Sequence, residues 1–291
     1  MAVFFGMPDN HELAEELARL TSSDIGALEA RHFPDGESYV RIDCDPSGRN
    51  AYLVCTLADP DHQFLPLLFA ARTIRAMGVK TLTLIAPYLA YLRQDAEFQK
   101  GEAVSSRIFA DVLGREFDAL ITVDPHLHRF TSLADVYSIP TKVVRASELI
   151  GTWVRENVRS PVVLGPDAES SQWAAAIGTS AGCPWSTFTK ERSGDRKVRL
   201  VPPAEEFCDR TPVLVDDIIS SGATMIGAAK ILEHQDRPAP YLIAVHALFD
   251  AATASNLMAV ARAVLTTDTV ANPFSHFQIA PVIAEQLAIT T

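Results

Sequence analysis

The chain has no excess of positive charge and no long apolar run. Its 291 residues carry a formal net charge of −11, which argues against a broad phosphate-tracking surface because nucleic-acid binders usually present a basic face. The N-terminal sequence lacks the basic flank and the long apolar stretch of a signal peptide, and no apolar run reaches membrane-spanning length. These absences predict a cytoplasmic protein with no nucleic-acid partner and no membrane contact.

Cysteine is also scarce. Cys44, Cys55, Cys183 and Cys208 form no C-x-x-C pair and no zinc-like spacing. We therefore expect reduced thiols, with neither a disulfide nor a structural metal. At 48% hydrophobic and 21% charged, the composition is typical of a globular protein that can bury one large core or two ordinary ones.

Apolar residues follow two alternating periods along the chain. Short β-branched runs alternate with stretches of helical spacing, and this order predicts an α/β fold with mainly parallel sheets flanked by helices. The predicted strands include 51–55, 81–85, 120–123, 162–164, 213–215 and 243–245, and the predicted helices 64–77, 170–177 and 223–234. The pattern restarts after Pro140, so two domains are expected, 1–141 and 142–291, although no residue-level repeat links them.

The most informative segment is 211–224, where a predicted strand is followed by an acidic pair, a small-residue loop and a helix. Gly222 lets the backbone approach a ligand, and the first amides of the following helix would face an anion. Asp216 and Asp217 are adjacent carboxylates, which is unfavourable unless sugar hydroxyls or a metal ion engage them. A phosphorylated sugar fits this arrangement. The alternative is an ordinary capped helix after an edge strand.

This segment resembles the loop that binds phosphoribosyl diphosphate (PRPP) in phosphoribosyltransferases and PRPP synthetases. Further segments, in a matching order, narrow the resemblance to the synthetases, and Ser220 makes the pattern similar to that of the short archaeal-type members. The matching segments are 33–37 (F-P-D-G-E), 87–95 (P-Y-L-A-Y-L-R-Q-D), 101–107, 124–126 (D-P-H), 165–168 (G-P-D-A), 189–192 (T-K-E-R) and 267–269. The resemblance implies two phosphoribosyltransferase-type domains.

The resemblance also implies where the substrates bind. ATP would bind the N-terminal domain through Phe33, Asp35, Glu37, Arg93, Gln94 and Asp95. Ribose 5-phosphate would bind the C-terminal domain through Asp216, Asp217, Ser220, Ser221, Gly222, Ala223 and Thr224. In the family, the 33–37 turn reaches the adenine site of a neighbouring subunit, which implies a homodimer or a hexamer built from dimers.

In the implied reaction the 1-hydroxyl of ribose 5-phosphate attacks the β-phosphorus of ATP, and AMP leaves. Cations and hydrogen-bond donors matter more than a strong base, because negative charge spreads over the phosphoryl oxygens. Lys190 and Arg192, on a segment that resembles the mobile catalytic loop, would supply a point charge and a planar fork of donors. His126 would contact the nucleotide phosphates and a metal ion. Asp167 would face the ribose through Mg²⁺. A few carboxylates together with phosphate oxygens form the kind of ligand set that Mg²⁺ prefers.

Some positions depart from the family pattern. Glu169 and Ser170 stand where glycines commonly follow the diphosphate-loop aspartate, and Ala223 replaces a glycine. After His126 the chain reads L-H-R-F at 127–130, unlike the glutamine-containing sequence of many members. We therefore expect the activity to be kept and this wall of the nucleotide site to differ.

Other functions fit the sequence less well. A catalytically silent homologue with a nucleotide-binding or regulatory role is the main alternative, although the candidate catalytic residues are all present. A phosphoribosyltransferase would explain the loop at Asp216 but not the N-terminal half. The H-x-H at 126–128 could begin the metal site of a barrel hydrolase, but the rest of that site is missing. The G-x-S-x-G at 178–182 follows a predicted helix, which is the reverse of a nucleophile elbow.

Overall fold

The computed structural model describes residues 2–127, 129–193, 197–201, 207 and 209–288, with the side chains of 190–193, 197–201 and 288 outside that description. The chain divides into two units. The first runs to Val144 and is joined by the chain from Ile279 onward, and the second is Arg145–Gln278.

The first unit is built on a six-stranded parallel sheet. Its elements are β1 (Ala2–Gly6), α1 (His11–Leu20), β2 (Asp24–Ile25), β3 (Leu28–His32), β4 (Ser38–Ile42), β5 (Asn50–Val54), α2 (Pro60–Ala76), β6 (Thr81–Ala86), α3 (Ser105–Glu116), β7 (Ala119–Val123), β8 (Thr141–Val144) and α8 (Ala280–Ala288), with a short 3-10 turn at Leu133–Asp135. The strand order is β2-β1-β5-β6-β7-β8, and β3 and β4 form a separate antiparallel hairpin. Phe4, Phe5 and Leu53 are fully buried in its core.

The second unit repeats this architecture. Its elements are α4 (Ser147–Asn157), β9 (Pro161–Gly165), α5 (Ser171–Ala181), β10 (Trp185–Thr187), β11 (Thr189–Ser193), β12 (Lys197–Val201), β13 (Thr211–Ile219), α6 (Ala223–His234), β14 (Tyr241–Ala247), α7 (Ala251–Met258), β15 (Ala263–Thr267) and β16 (Ser275–Phe277). The parallel sheet runs β10-β9-β13-β14-β15-β16, and β11 pairs antiparallel with β12. The predicted α/β fold with two parallel sheets is confirmed.

The last helix departs from the predicted domain division. Residues 142–291 were assigned to one domain, whereas α8 packs against α1 and β8 of the first unit. The Lys142 ammonium donates to the Gln286 carbonyl and so ties the helix to that unit. An apolar periodicity can show that a segment is a helix, but it does not show which hydrophobic core the helix packs against. The sequence alone therefore could not assign α8 to the first unit.

Two strands also differ from expectation. We predicted that the strand before the acidic pair ends at Val215, but β13 continues to Ile219 because its ladder with β14 extends to the pairing of Ile219 with Ala247. We predicted a polar loop at 189–192, but Thr189–Ser193 is strand β11, paired residue for residue with β12. Backbone ladders need no apolar side chains, so neither extension is visible in the hydrophobic pattern.

No described helix is long and apolar enough to cross a membrane.

Candidate active site

Parallel topology brings two loops of the second unit together. β9 and β13 are neighbours in the sheet, with Leu164 paired to Leu214. The loop that follows β9 carries Asp167, and the end of β13 carries Asp216 and Asp217. Since the carboxyl ends of adjacent parallel strands meet at one sheet edge, these carboxylates share a region where α/β proteins usually bind ligands.

The pKa of Asp216 reflects its burial and the neighbouring carboxylates. Asp216 is half-buried and Asp217 is buried. Burial, reinforced by the negative charges of Asp217 and then Asp167, raises the pKa of Asp216 to about 8. The crowding of like charges disfavours ionisation of Asp216, and a cation or the hydroxyls of a sugar would relieve it.

Backbone amides fix the orientation of the acidic pair. The Asp217 N–H donates to Oδ1 of Asp216 at 3.0 Å, and the Ile218 N–H donates to Oδ1 of Asp217 at 2.8 Å. Within the described residues no group of three or more potential ligands forms a ready metal cluster. A metal ion here would therefore need phosphate oxygens and water besides the carboxylates, and Mg²⁺ prefers such a mixed shell.

The loop after β9 is closed by Ser170. Its hydroxyl donates to the Asp167 carbonyl at 2.7 Å, while Oδ1 of Asp167 accepts from the Glu169 amide at 3.0 Å. A Cβ at Gly165 would lie 2.4 Å from Oγ of Ser170, so this close approach requires glycine. The Ser170 side chain therefore stabilises the conformation of this loop. The Glu169 side chain is exposed.

A second loop, Ser220–Gly222, leads into α6. Gly222 adopts a φ of +69° as the residue before the helix, and a Cβ there would lie 3.0 Å from Cγ2 of Thr253. Ser221 and Ala223 are exposed, and Ser220 and Thr224 are half-buried. Hydroxyls and helix amides therefore cluster at a helix N-terminus, beside the strand that carries the acidic pair.

The candidate catalytic cations lie on the β11–β12 hairpin. Lys190 pairs with Leu200 and Arg192 with Val198. The hairpin starts close to the carboxylates, because the Phe188 amide donates to the Gly165 carbonyl at 2.9 Å. The side chains of Lys190 and Arg192 lie outside what the structure describes, so their roles stay predictions.

In the first unit, two more motif segments share a sheet edge. The segment with Arg93, Gln94 and Asp95 follows β6, and the segment with Asp124 and His126 follows β7, the neighbouring strand. Arg93 is exposed, whereas Asp95 is buried, and His126 is half-buried. This edge therefore carries an accessible cation on one segment and a histidine on the next, both of which a nucleoside triphosphate could use.

Glu102 orders the loop between β6 and α3. Its Oε2 accepts from Nε2 of Gln94 at 3.2 Å and from the amides of Phe98 and Gln99 at 3.0 and 3.1 Å. Sequence reasoning placed Glu102 inside a matching segment but gave it no role. It also missed Arg129, whose Nη1 lies 2.7 Å from Oδ1 of Asp95. The signal in the sequence that could have pointed to this residue is an arginine close after the D-P-H motif at 124–126, where the chain departs from the family pattern.

The 33–37 turn joins β3 to β4 and is preformed. The Phe33 amide donates to the Glu37 carbonyl at 2.8 Å, and Gly36 closes the turn with a φ of +91°. The Arg31 guanidinium lies over the rings of Phe33 and Tyr39, at 4.8 and 4.3 Å from their centroids. The tip, including Asp35, is exposed.

Comparison with known proteins agrees with this geometry. Residues 2–115 match the model of the N-terminal domain of ribose phosphate pyrophosphokinase, and residues 132–255 match that of the phosphoribosyl transferase domain. The ribose-phosphate pyrophosphokinase of Methanopyrus kandleri is 33% identical, covering 98% of this chain and 97% of the relative. Ribose-phosphate pyrophosphokinase 2 of Archaeoglobus fulgidus is 31% identical, covering 96% and 98%.

A solved structure is similar over nearly the whole chain. The phosphoribosylpyrophosphate synthetase of Mycobacterium smegmatis superposes with a TM-score of 0.85 at 26% identity, covering 99% of this chain and 98% of that one. The archaeal relatives agree with the expected likeness to short archaeal-type members. With motifs, fold and near full-length similarity in agreement, the chain belongs to the ribose-phosphate pyrophosphokinase family.

Proposed function

We propose that this chain transfers the β,γ-diphosphate of ATP to the 1-hydroxyl of ribose 5-phosphate, giving PRPP and AMP. The observation that carries the proposal is the placement of Asp167, Asp216 and Asp217 at one sheet edge, beside the Gly222 loop. The family comparisons support the same activity. A catalytically silent homologue is not favoured, since Lys190, Arg192 and His126 are all present.

Ribose 5-phosphate is assigned to the second unit. Its phosphate would bind at the start of α6, where the helix amides and the hydroxyls of Ser220 and Thr224 converge. Asp216 and Asp217 would accept hydrogen bonds from the ribose hydroxyls, which offsets the cost of holding two carboxylates together. The sugar is thereby oriented with its 1-hydroxyl free to attack.

ATP is assigned to the first unit. Arg93 would hold the triphosphate, and His126 would contact the phosphates. Gln94 and Asp95 belong to the same ATP-binding segment as Arg93. Lys190 and Arg192 would stabilise the charge that develops on the transferring group.

Enzymes of this family need a divalent metal, and we propose Mg²⁺. The crowded carboxylates near Asp167 fit a hard cation, and His126 would be a second contact on the ATP side. When bound, Mg²⁺ would neutralise charge on the phosphoryl oxygens.

A product assay tests the function directly. Purified protein is incubated with ATP, Mg²⁺ and ribose 5-phosphate, and AMP and PRPP are measured together. Equal amounts of both products are expected. ATP binding without either product would indicate a silent homologue. Consumption of PRPP in a separate incubation with PRPP and a nucleobase would indicate a phosphoribosyltransferase.

Thr224 provides a test of the sugar-phosphate loop. Thr224→Val should raise the KM for ribose 5-phosphate about tenfold, because a hydrogen bond to a charged group is lost, while the KM for ATP stays nearly constant. Ser255→Ala, which removes a hydroxyl bonded within α7, serves as the control. A rise in the KM for ATP alone would place this loop at the other substrate.

We also propose a homodimer, or a hexamer built from dimers, in which the exposed 33–37 turn completes the neighbour's ATP site. Mixing inactive Asp35→Ala and Lys190→Ala variants should then restore part of the activity, because mixed dimers contain one site with neither substitution. Activity is measured after co-refolding of the two variants. A fully active monomer on size-exclusion chromatography would refute the shared site.

A cytoplasmic location is proposed as well. Cys44, Cys55 and Cys183 are free thiols in the described structure, which suits a reducing compartment.

A further inference from the structure

We propose that Arg129 is a positioning residue of the ATP site, which acts by holding Asp95. This inference rests on the function proposed above for the first unit. Arg129 would fix the segment that carries Arg93 and Gln94 in the geometry that receives the triphosphate.

The contact with Asp95 is an ion pair to a buried carboxylate. Nη1 of Arg129 lies 2.7 Å from Oδ1 of Asp95, with side-chain exposures of 46% and 1%. Oδ2 of Asp95 is buried and receives no hydrogen bond from any described residue. The carboxylate therefore depends on Arg129 for its charge compensation within the described chain, and removal of the cation would leave a buried charge unpaired.

Arg129 also contacts the far part of the same segment. Its guanidinium lies 4.6 Å from the centroid of the Phe98 ring. The Phe98 amide and the Gln94 side chain both donate to Glu102. Arg129 thus holds the loop through Asp95 and Phe98, while Glu102 closes it from within.

The chain position of Arg129 links two candidate ATP segments. Arg129 follows His126 in the connection after β7, whereas Asp95 lies in the connection after β6. A change in the Arg129–Asp95 pair would shift one segment relative to the other. Since phosphate contacts depend on the direction of each donor, ATP affinity should be sensitive to this shift.

The same unit contains a matched comparison. Arg72 donates to Glu116 through both Nε and Nη2, with Nη2 at 2.7 Å from Oε1, and the Glu116 side chain is 10% exposed. This pair joins α2 to α3, and within the described residues neither side chain has a hydrogen bond or ion pair to either motif segment. It combines an exposed arginine with a largely buried carboxylate, as the Arg129–Asp95 pair does, but at a purely structural location.

Calorimetric titration with Mg²⁺-ATP tests the proposal. Arg129→Met should raise the dissociation constant of ATP about tenfold and leave that of ribose 5-phosphate within about twofold. Arg129→Lys should keep part of the affinity, because it keeps the charge but loses the planar fork. Arg72→Met should lower the melting temperature without changing ATP affinity.

A double-mutant cycle separates positioning from independent action. If Arg129 acts through Asp95, the losses of ATP affinity in Asp95→Asn and in Arg129→Met should not add, and the double variant should bind ATP no more weakly than the weaker of the two single variants. Additive losses would show that Arg129 acts on ATP by itself, and unchanged affinity in folded Arg129→Met would overturn the proposal. Should Arg129→Met not fold, an Arg129→Lys variant with wild-type affinity would overturn it equally.

The two proposals fail in different ways. A wild-type protein that binds ATP but makes no PRPP contradicts the proposed function and leaves the Arg129 inference open to the same titration. A wild-type protein that makes PRPP while Arg129→Met binds ATP normally contradicts only the inference.

Discussion

Replacement of Lys190 by alanine is expected to lower kcat by about 10²–10³-fold, with much smaller changes in either KM. Negative charge develops on the transferring phosphoryl group, so an ammonium directed at it stabilises the transition state more than the bound substrates. Arginine should rescue poorly, because the guanidinium is broader than an ammonium and would misplace its donors. Initial rates with AMP and PRPP both measured give kcat and each KM.

The hairpin offers its own control for this prediction. Lys190 is on β11, and Lys197 is on the paired strand β12, opposite Ser193. Lys197→Ala removes a cation from the same hairpin and should keep nearly full kcat. If Lys190→Ala also kept nearly full kcat, Lys190 would be an ordinary surface residue, and the mechanistic assignment would be wrong while the fold stood.

Much of the fold was predictable because its strands are buried on both faces. The apolar run 120–123 corresponds to β7 and the run 162–164 to β9, since strands covered by helices on both sides are almost continuously apolar. Helix α6 was predicted at 223–234 and spans those residues. There a glycine with positive φ marks the boundary that the sequence suggested.

The missed features depend on the backbone or on distant contacts. Asp216 and Asp217 interrupt an apolar run, yet the parallel ladder passes through them, because strand pairing uses amides and carbonyls. The polar segment at 189–193 became a strand only through its partner β12. The side to which α8 returns was likewise set by tertiary packing.

The candidate site shows the same division. Motif order predicted that Asp167 and Asp216 belong to one site, and the adjacency of β9 and β13 brings them together. The ion pair of Asp95 with Arg129 joins positions 34 residues apart, across two loops. Such a pair leaves no periodic trace in the sequence, so only the structure could reveal it.

Asp216→Asn is expected to make the metal-free protein more stable at pH 8 and nearly inactive. The unfolded pKa of Asp216 is near 3.8, and burial with Asp217 and Asp167 nearby raises the folded pKa to about 8. Between these values the folded protein holds a proton that the unfolded chain has lost, so this carboxyl makes stability fall as pH rises. Asparagine removes that titration, so the variant's advantage should be absent at pH 4 and grow towards pH 8.

The expected gain is about 1–2 kcal/mol at pH 8, reduced from the full shift because Asp216 is only half-buried. The expected loss in kcat/KM for ribose 5-phosphate is about 100-fold, because a neutral amide replaces a carboxylate at the sugar hydroxyls and the metal. Urea unfolding at pH 4, 6 and 8 with EDTA measures the first effect, and the product assay measures the second. Asp209→Asn, at an exposed position before β13, should change neither.

A substitution that raises the free energy of unfolding but lowers the activity indicates a carboxylate with a functional role, since like charges crowded at a site destabilise the protein without its ligands. The ligands should therefore reverse the effect. With Mg²⁺ and ribose 5-phosphate bound, the pKa of Asp216 should fall, binding at pH 7 should release a proton, and calorimetry in buffers of different ionisation enthalpy should detect it. An Asp216→Asn variant that is equally destabilised at pH 4 and pH 8 would instead make Asp216 a structural residue of β13, and the ribose assignment would move elsewhere.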